Sequence, residues 1–260
     1  MFFNKKRKFD LVVSIGHRCF TSLMLRQNNL QVASFPFDWL LNTEYKQSLD
    51  FLCNNFDNFL EKKDLVLVEN EGNQFHNTYK NKRTNFSLVH DFPVNVDFDK
   101  QFEIVKEKYT KRINRLIEKI RLSNTVLLVY SAPSTPPYKK PLDDIIKDTT
   151  EMIPKLKDVF PNTEFNFMYI TPSETKGFYY LNNDLNLEYI EKPPVDKHKK
   201  IKFLGISFSM KINEAPESLQ SCILNKSFKE KLDNIMYWCC KIGRKFLPKK
   251  LKSYFAERKY

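Results

Sequence analysis

Residues 9–19 decide the fold: they read Phe-Asp-Leu-Val-Val-Ser-Ile-Gly-His-Arg-Cys. The β-branched, apolar run at 9–15 predicts a buried strand, and Gly16 after it predicts a turn. Residues 18–29 then predict a helix, because Phe20, Leu23, Met24 and Gln27 recur at the spacing of one helical face. The stretch is therefore a strand, a tight turn and a helix.

The rest of the chain continues this alternation. Apolar runs predict strands at 64–69, 84–90, 125–131 and 165–171, with shorter ones at 186–190 and 201–206. Apolar periodicity predicts helices at 43–53, 55–62, 98–122 and 142–158, and residues 34–40 predict a packed aromatic loop. Buried strands alternating with amphipathic helices are typical of an α/β fold with a largely parallel sheet flanked by helices.

Charge divides the chain into two regions. The net charge is +12 over 260 residues, and residues 226–260 carry +8 of it, while Lys5, Lys6, Arg7 and Lys8 add four. The segment between is near neutral, which excludes a basic body of the kind that binds nucleic acid. We therefore predict a core domain at 1–215 and a basic helical appendage at 216–260.

Several other classes of protein are disfavoured. No apolar run reaches the ~20 residues that span a bilayer, and we expect no signal peptide at the N-terminus. The five cysteines include no Cys-x-x-Cys pair, so we expect neither a metal site nor disulfides, and no nucleotide motif predicts a cofactor. We expect a cytoplasmic protein. The basic segment 226–260 could lie weakly on an anionic membrane surface at its inner face, or dock on the domain.

Cys19 stands where a helix begins after a buried strand, and this placement has a chemical use. The positive end of the helix dipole and its free N–H groups would lower the pKa of a thiol and could stabilise an oxyanion. Gly16, His17 and Arg18 lie beside it, and the two basic residues would favour an anion further. The alternative is that Cys19 is a small core residue at a helix start.

His90 is the second candidate for chemistry, because a strand end can present a general base on a rigid element. Asp38 and Asp91 could orient its ring, although neighbouring side chains on a strand point to opposite faces, which counts against Asp91. Asp38 lies in Phe35-Pro36-Phe37-Asp38-Trp39, which predicts an aromatic plug whose single charge faces the site. A partly buried structural histidine is the alternative for His90.

These motifs together resemble a known family. Ser-Ile-Gly-x-x-Cys, then Phe-Pro-Phe-Asp-Trp, then His-Asp-Phe near position 90 are similar to the bacterial "putative papain-like cysteine peptidase" family, a domain of unknown function. The resemblance covers about residues 9–131 and implies Cys19 as nucleophile and His90 as base. It also implies motif positions at Asp38 and Asp91, and places Asn77 and Tyr79 in an Asn- and Tyr-containing stretch before His-Asp-Phe.

The resemblance adds a second fold class, the papain-like α+β arrangement, and an association with surface-polysaccharide biosynthesis. Papain-like enzymes carry a third polar residue on a strand after the histidine. In this chain the next strand offers only Thr125 and Ser131, and Asn95 or Asp97 lie in the intervening loop. In open α/β sheets ligands bind at the carboxyl ends of strands, where both Cys19 and Ser131 fall. Gly16, His17, Arg18, Trp39, Asn77, Tyr79 and Ser131 are therefore candidate oxyanion or pocket residues.

Two functions remain open from the sequence. The first is a cysteine hydrolase or acyl transferase acting on a peptide, ester or glycan-linked substrate through Cys19 and His90. The second is a non-catalytic α/β accessory protein that binds a glycan or a nucleotide-sugar.

Overall fold

The computed structural model describes residues 7–31, 33–72, 74–133, 139–172, 179–192, 196–203, 206–213, 219 and 222–224. Its helices are α1 (Cys19–Gln27), α2 (Tyr45–Cys53), α3 (Phe98–Arg121) and α4 (Leu142–Val159). Its strands are β1 (Arg7–Phe9), β2 (Leu11–Ser14), β3 (Leu40–Leu41), β4 (Leu65–Gly72), β5 (His76–Asn81), β6 (Ser87–Pro93), β7 (Thr125–Ser131), β8 (Glu164–Pro172), β9 (Tyr179–Asn182), β10 (Leu187–Lys192), β11 (Asp196–Phe203), β12 (Ile206–Asn213) and β13 (Cys222–Leu224). Short 3-10 helices cover Pro36–Trp39, Lys62–Asp64 and Asn183–Leu185.

The central sheet has the order β2–β7–β8–β10–β9, in which the first four strands are parallel and β9 is an antiparallel edge. All four residues of β2 and the middle five of β7 are buried, as in a sheet covered on both faces. This confirms the predicted α/β class.

A second, antiparallel sheet has the order β3–β6–β5–β4. Its strand β5 was not predicted, because its sequence His-Asn-Thr-Tyr-Lys-Asn has no apolar run. The predicted helix at 55–62 is wrong. Residues 54–60 form turns in which Asn55, Phe56 and Asn58 have φ of 52°, 60° and 52°, a conformation that does not propagate as a helix.

The two faces of the central sheet are covered by different helices. On one face, Met24 and Leu25 of α1 pack with Val12, Val129 and Met168. On the other face, side chains of α2, α3 and α4 pack with the remaining strand residues. The chain therefore leaves neighbouring strands β2 and β7 toward opposite faces.

Most of the predicted appendage lies outside the described residues. Strand β13 is a described part of residues 216–260. It pairs in parallel with β1, and Lys8 lies opposite Ile223. The basic segment 226–260 is not described, so its membrane contact stays a prediction, as does the boundary near residue 215.

Candidate active site

A crevice is expected where β2 and β7 end. Ligands in open α/β sheets bind outside the carboxyl ends of two neighbouring strands whose connections run to opposite faces, and β2 and β7 are such a pair. Gly16 to Cys19 follow β2, and Ser131 ends β7. The fold thus brings these predicted site residues to one edge of the sheet.

The turn after β2 is fastened to the end of β7. The His17 backbone N–H donates to the Ser131 carbonyl at 3.2 Å, and the Ser131 N–H donates to the Gly16 carbonyl at 3.1 Å. The Thr21 hydroxyl also donates to the Gly16 carbonyl, at 2.6 Å. Gly16 has φ of +126°, and a Cβ there would stand 2.0 Å from Thr43 Oγ1. Only glycine fits this turn.

The His17 side chain is buried beside the turn, and its imidazole is neutral. Its Nδ1 lies 3.4 Å from the Thr43 carbonyl, which also accepts the Tyr130 hydroxyl at 2.8 Å. Since a carbonyl only accepts, Nδ1 carries the proton. Burial, reinforced by Arg18, lowers the pKa of His17 to about 4. The expectation that His17 favours an anion is therefore wrong at neutral pH, and Arg18 is the charged neighbour.

We expect the fold to lose stability as His17 is forced to charge. Its folded pKa of about 4 lies below the ordinary 6.5, so the unfolded chain binds the proton first. This contribution is complete above pH 6.5 and falls by about 3 kcal/mol as the pH drops to 4. Between pH 6.5 and pH 4, the free energy of unfolding measured with urea should change more steeply with pH for wild type than for His17→Asn. The asparagine amide can still donate a hydrogen bond to the Thr43 carbonyl. Equal slopes would contradict the assignment.

Cys19 is the first residue of α1 and its thiol is half-buried. Arg18, at the N-cap, makes no side-chain hydrogen bond to the helix, so the first N–H groups are not capped by it. Burial raises the pKa of the Cys19 thiol, while hydrogen bonds from the N–H groups of Cys19 and Phe20 and the charge of Arg18 oppose this. The predicted lowering of the thiol pKa is thus not found: the donors are present, but burial outweighs them.

His90 lies on the antiparallel sheet and is exposed. Val89 to Asp91 of β6 stand opposite the single residue Thr78 of β5, which forms a bulge. Bulges re-aim side chains and are common beside active sites. The His90 ring lies edge-on to Trp39 at 6.1 Å between centroids and to His76 at 6.4 Å. The side chain is largely exposed, but its ring is partly desolvated, and this lowers the pKa of His90. The charges of His76 and Lys108 lower the pKa further, while the charge of Asp91 opposes the shift.

The two candidate orienting carboxylates are both held by other groups. Asp38 is fully buried and accepts from Arg26 at 3.1 Å, Gln31 at 2.6 Å and the Phe35 N–H at 2.8 Å. Burial raises the pKa of Asp38, and Arg26 opposes the shift. Neither carboxylate accepts a hydrogen bond from His90 among the described contacts.

Asp91 points to α3, on the side of the strand away from His90. It pairs with Lys108 and accepts the Tyr109 hydroxyl at 3.0 Å. Tyr79 also packs toward α3, because its ring centroid lies 4.5 Å from that of Phe92 and 4.7 Å from that of Phe98 on this helix. Both residues therefore join the antiparallel sheet to α3 and make no described contact with the imidazole.

The remaining pocket candidates divide between the two regions. Trp39 is half-buried beside His90, whereas Asn77 is half-buried on β5, in register with Phe92. Ser131 ends β7, where its backbone is hydrogen-bonded to Gly16 and His17. In the described part of the chain no hydrogen bond, ion pair or ring contact joins Cys19 to His90. Catalytic hydrogen bonds are often long in substrate-free proteins and tighten only with substrate.

Three residues of the site were not predicted. Arg26 stacks on Trp39, Thr43 holds His17, and His76 neighbours His90. His76 was detectable as one of only four histidines, but nothing local marks Arg26 or Thr43. Within the described ranges, no cluster of three or more His, Cys, Asp or Glu side chains could hold a metal ion. In the same ranges, each helix is too short or too polar to cross a membrane.

Comparison with known proteins agrees with the motifs. The family model described as "Putative papain-like cysteine peptidase" matches residues 10–169, which include Cys19, Asp38, His90 and Ser131. No curated protein and no solved structure matches the chain significantly. Because the match covers more than half of the chain, this protein belongs to that family, a domain of unknown function.

Proposed function

We propose that this protein is a thiol-dependent hydrolase or acyl transferase in which Cys19 is the nucleophile and His90 the general acid and base. The observation that supports it most is the position of Cys19 on the first turn of α1, directly after the turn that is hydrogen-bonded to the end of β7. There the N–H groups of Cys19 and Phe20 point at the sulfur and could equally stabilise an oxyanion formed next to it.

The reaction follows from these two groups. His90 takes the thiol proton, and the sulfur attacks the carbonyl carbon of an amide or ester. The carbon–nitrogen or carbon–oxygen bond breaks, and the leaving group receives the proton from His90. Water then gives a proton to His90 while its oxygen attacks the thioester carbon. The carbon–sulfur bond breaks, the carboxylic acid leaves, and the thiolate takes the proton back from His90. An alcohol or amine in place of water would make the protein a transferase.

The raised thiol pKa decides how this chemistry is activated. Without substrate, Cys19 is mostly protonated at neutral pH, so a preformed ion pair with His90 is not expected. The proton must move during the reaction, which makes His90 a general base in the acylation step. Removing such a base typically costs about 10²–10⁴-fold in rate.

The test is acylation by a panel of nitrophenyl esters, followed by intact-mass and peptide mass spectrometry. We expect an acyl group on Cys19, none in Cys19→Ser, and acylation at least about 10²-fold slower in His90→Ala. Cys53 is the internal control: it is also half-buried, ends α2 rather than starting a helix, and burial raises its pKa to about 11. Equal labelling of Cys19 and Cys53, or no adduct with any ester, would overturn the proposal.

A binding protein is the second candidate, favoured by the raised pKa of Cys19 and the missing contact with His90. In that case the crevice would hold a glycan or a nucleotide-sugar, consistent with the family's association with polysaccharide synthesis. Such binding, detected by ligand-observed NMR and unchanged in Cys19→Ser, together with absent acylation, would favour it over catalysis.

A further inference from the structure

Arg26 lies at the junction between α1 and the aromatic segment 35–39. Its side chain is 9% exposed. It donates to Asp38 at 3.1 Å and to the Ser34 hydroxyl at 2.9 Å, and its Cζ lies 5.7 Å from the centre of the Trp39 ring. A positively charged guanidinium is attracted to the face of an aromatic ring, and this cation–π attraction is stronger where water is excluded. Arg26 therefore holds both Asp38 and Trp39.

Trp39, which contacts Arg26, also contacts His90. The two ring centroids are 6.1 Å apart with an interplanar angle of 84°, an edge-to-face pair. The described contacts thus run without a break from Arg26 through Trp39 to His90. Cys19 is on the same nine-residue helix as Arg26, two turns earlier, and a short helix moves as one body.

Asp38 fixes the guanidinium rather than the imidazole. It is fully buried, and Gln31 and the Phe35 N–H also donate to it. A planar guanidinium held by several acceptors has little freedom to turn. The motif Phe-Pro-Phe-Asp-Trp is therefore held against α1 through Arg26, and Trp39 is the residue of the motif that contacts His90.

We propose that Arg26 is a positioning residue: through its ion pair with Asp38 and its stacking on Trp39 it sets the place of His90 relative to the helix that carries Cys19. This rests on the roles proposed above for Cys19 and His90. Its main readout, the state of the His90 ring, does not require activity.

The test is the double variant Arg26→Met with Asp38→Asn. Replacing Arg26 alone would leave a buried carboxylate unpaired and endanger the fold, whereas the double variant removes both charges. NMR titration of the histidines should show a changed His90 environment and a pKa closer to its ordinary value, because a released Trp39 no longer shields the ring. Ester acylation of Cys19 should fall by about 10²-fold, the usual effect of a misplaced catalytic group.

Arg115→Met is the matched control. Arg115 on α3 donates to the carbonyl of Ser34, the residue just before the aromatic segment, at 3.0 Å. It is exposed and has no described contact with Trp39 or His90. We expect wild-type titration and acylation in this variant. Trp39→Leu breaks the same chain of contacts with the ion pair intact, and should shift His90 as the double variant does.

Two results would overturn the proposal. One is a folded double variant, or a folded Trp39→Leu, in which His90 titrates as in wild type. The other is an Arg115→Met variant that shifts His90 as much as the double variant, since the effect would then be general loosening. A shifted His90 in a protein whose wild type forms no acyl adduct would refute the proposed function and leave the positioning role standing.

Discussion

Replacing Gly16 with alanine should lower the free energy of unfolding by roughly 2–6 kcal/mol. Two costs combine. An alanine Cβ would stand 2.0 Å from Thr43 Oγ1 and 3.1 Å from the Tyr130 ring, so buried groups must move. The backbone φ of +126° is also strained for any residue with a side chain. Urea unfolding of the purified variant measures the loss.

Thr43→Ala separates these two costs. The Thr43 Oγ1 is buried without a hydrogen-bond partner among the described residues, so its removal alone should cost little. Combined with Gly16→Ala it relieves the closest contact and leaves the strained φ. We therefore expect a double variant more stable than Gly16→Ala but less stable than Thr43→Ala. Full additivity of the two changes would contradict the proposed clash.

Replacing Asp91 with alanine should cost about 1–3 kcal/mol, because it leaves the buried Tyr109 hydroxyl without its acceptor, while Lys108 is partly exposed and can still reach water. Asp91 is 4% exposed and bonds both Lys108 and the fully buried hydroxyl of Tyr109. His90 beside it is exposed, so His90→Ala should change stability by no more than about 0.5 kcal/mol. The two neighbours in the His-Asp-Phe motif therefore have different tasks, chemistry for the first and support for the second.

Tyr109→Phe provides the control for this prediction. Asp91→Ala leaves the Tyr109 hydroxyl buried without its acceptor, and removing both partners is less costly than removing one. The double variant should thus be more stable than the sum of the single losses predicts. If Asp91→Ala instead kept full stability and lost His90 function, Asp91 would be an orienting residue and this assignment would fail.

The sequence by itself determined the four parallel strands of the central sheet, but not its antiparallel edge strand β9. Residues 125–131 are a buried strand as predicted, and the predicted helix at 98–122 is found at Phe98–Arg121. Both follow from the pattern of apolar residues, because a strand buried on two faces is a continuous apolar run, whereas a helix buried on one face repeats its apolar residues every three to four positions. The position of Cys19 at a helix start was predictable for the same reason, since a strand, a glycine and a helix follow one another there.

Only the tertiary structure decided what the polar residues do. Whether Asp38 faces an imidazole or a guanidinium depends on Arg26, twelve residues away, and on how α1 lies against the aromatic segment. The pKa of Cys19 depends on how deeply its sulfur is buried, which outweighs the local donors that the sequence does show. Strand β5 forms although its sequence lacks an apolar run, because β4 and β6 pair with it on both sides. Periodicity encodes burial along one element, whereas partners and desolvation are set by elements that are distant in the chain.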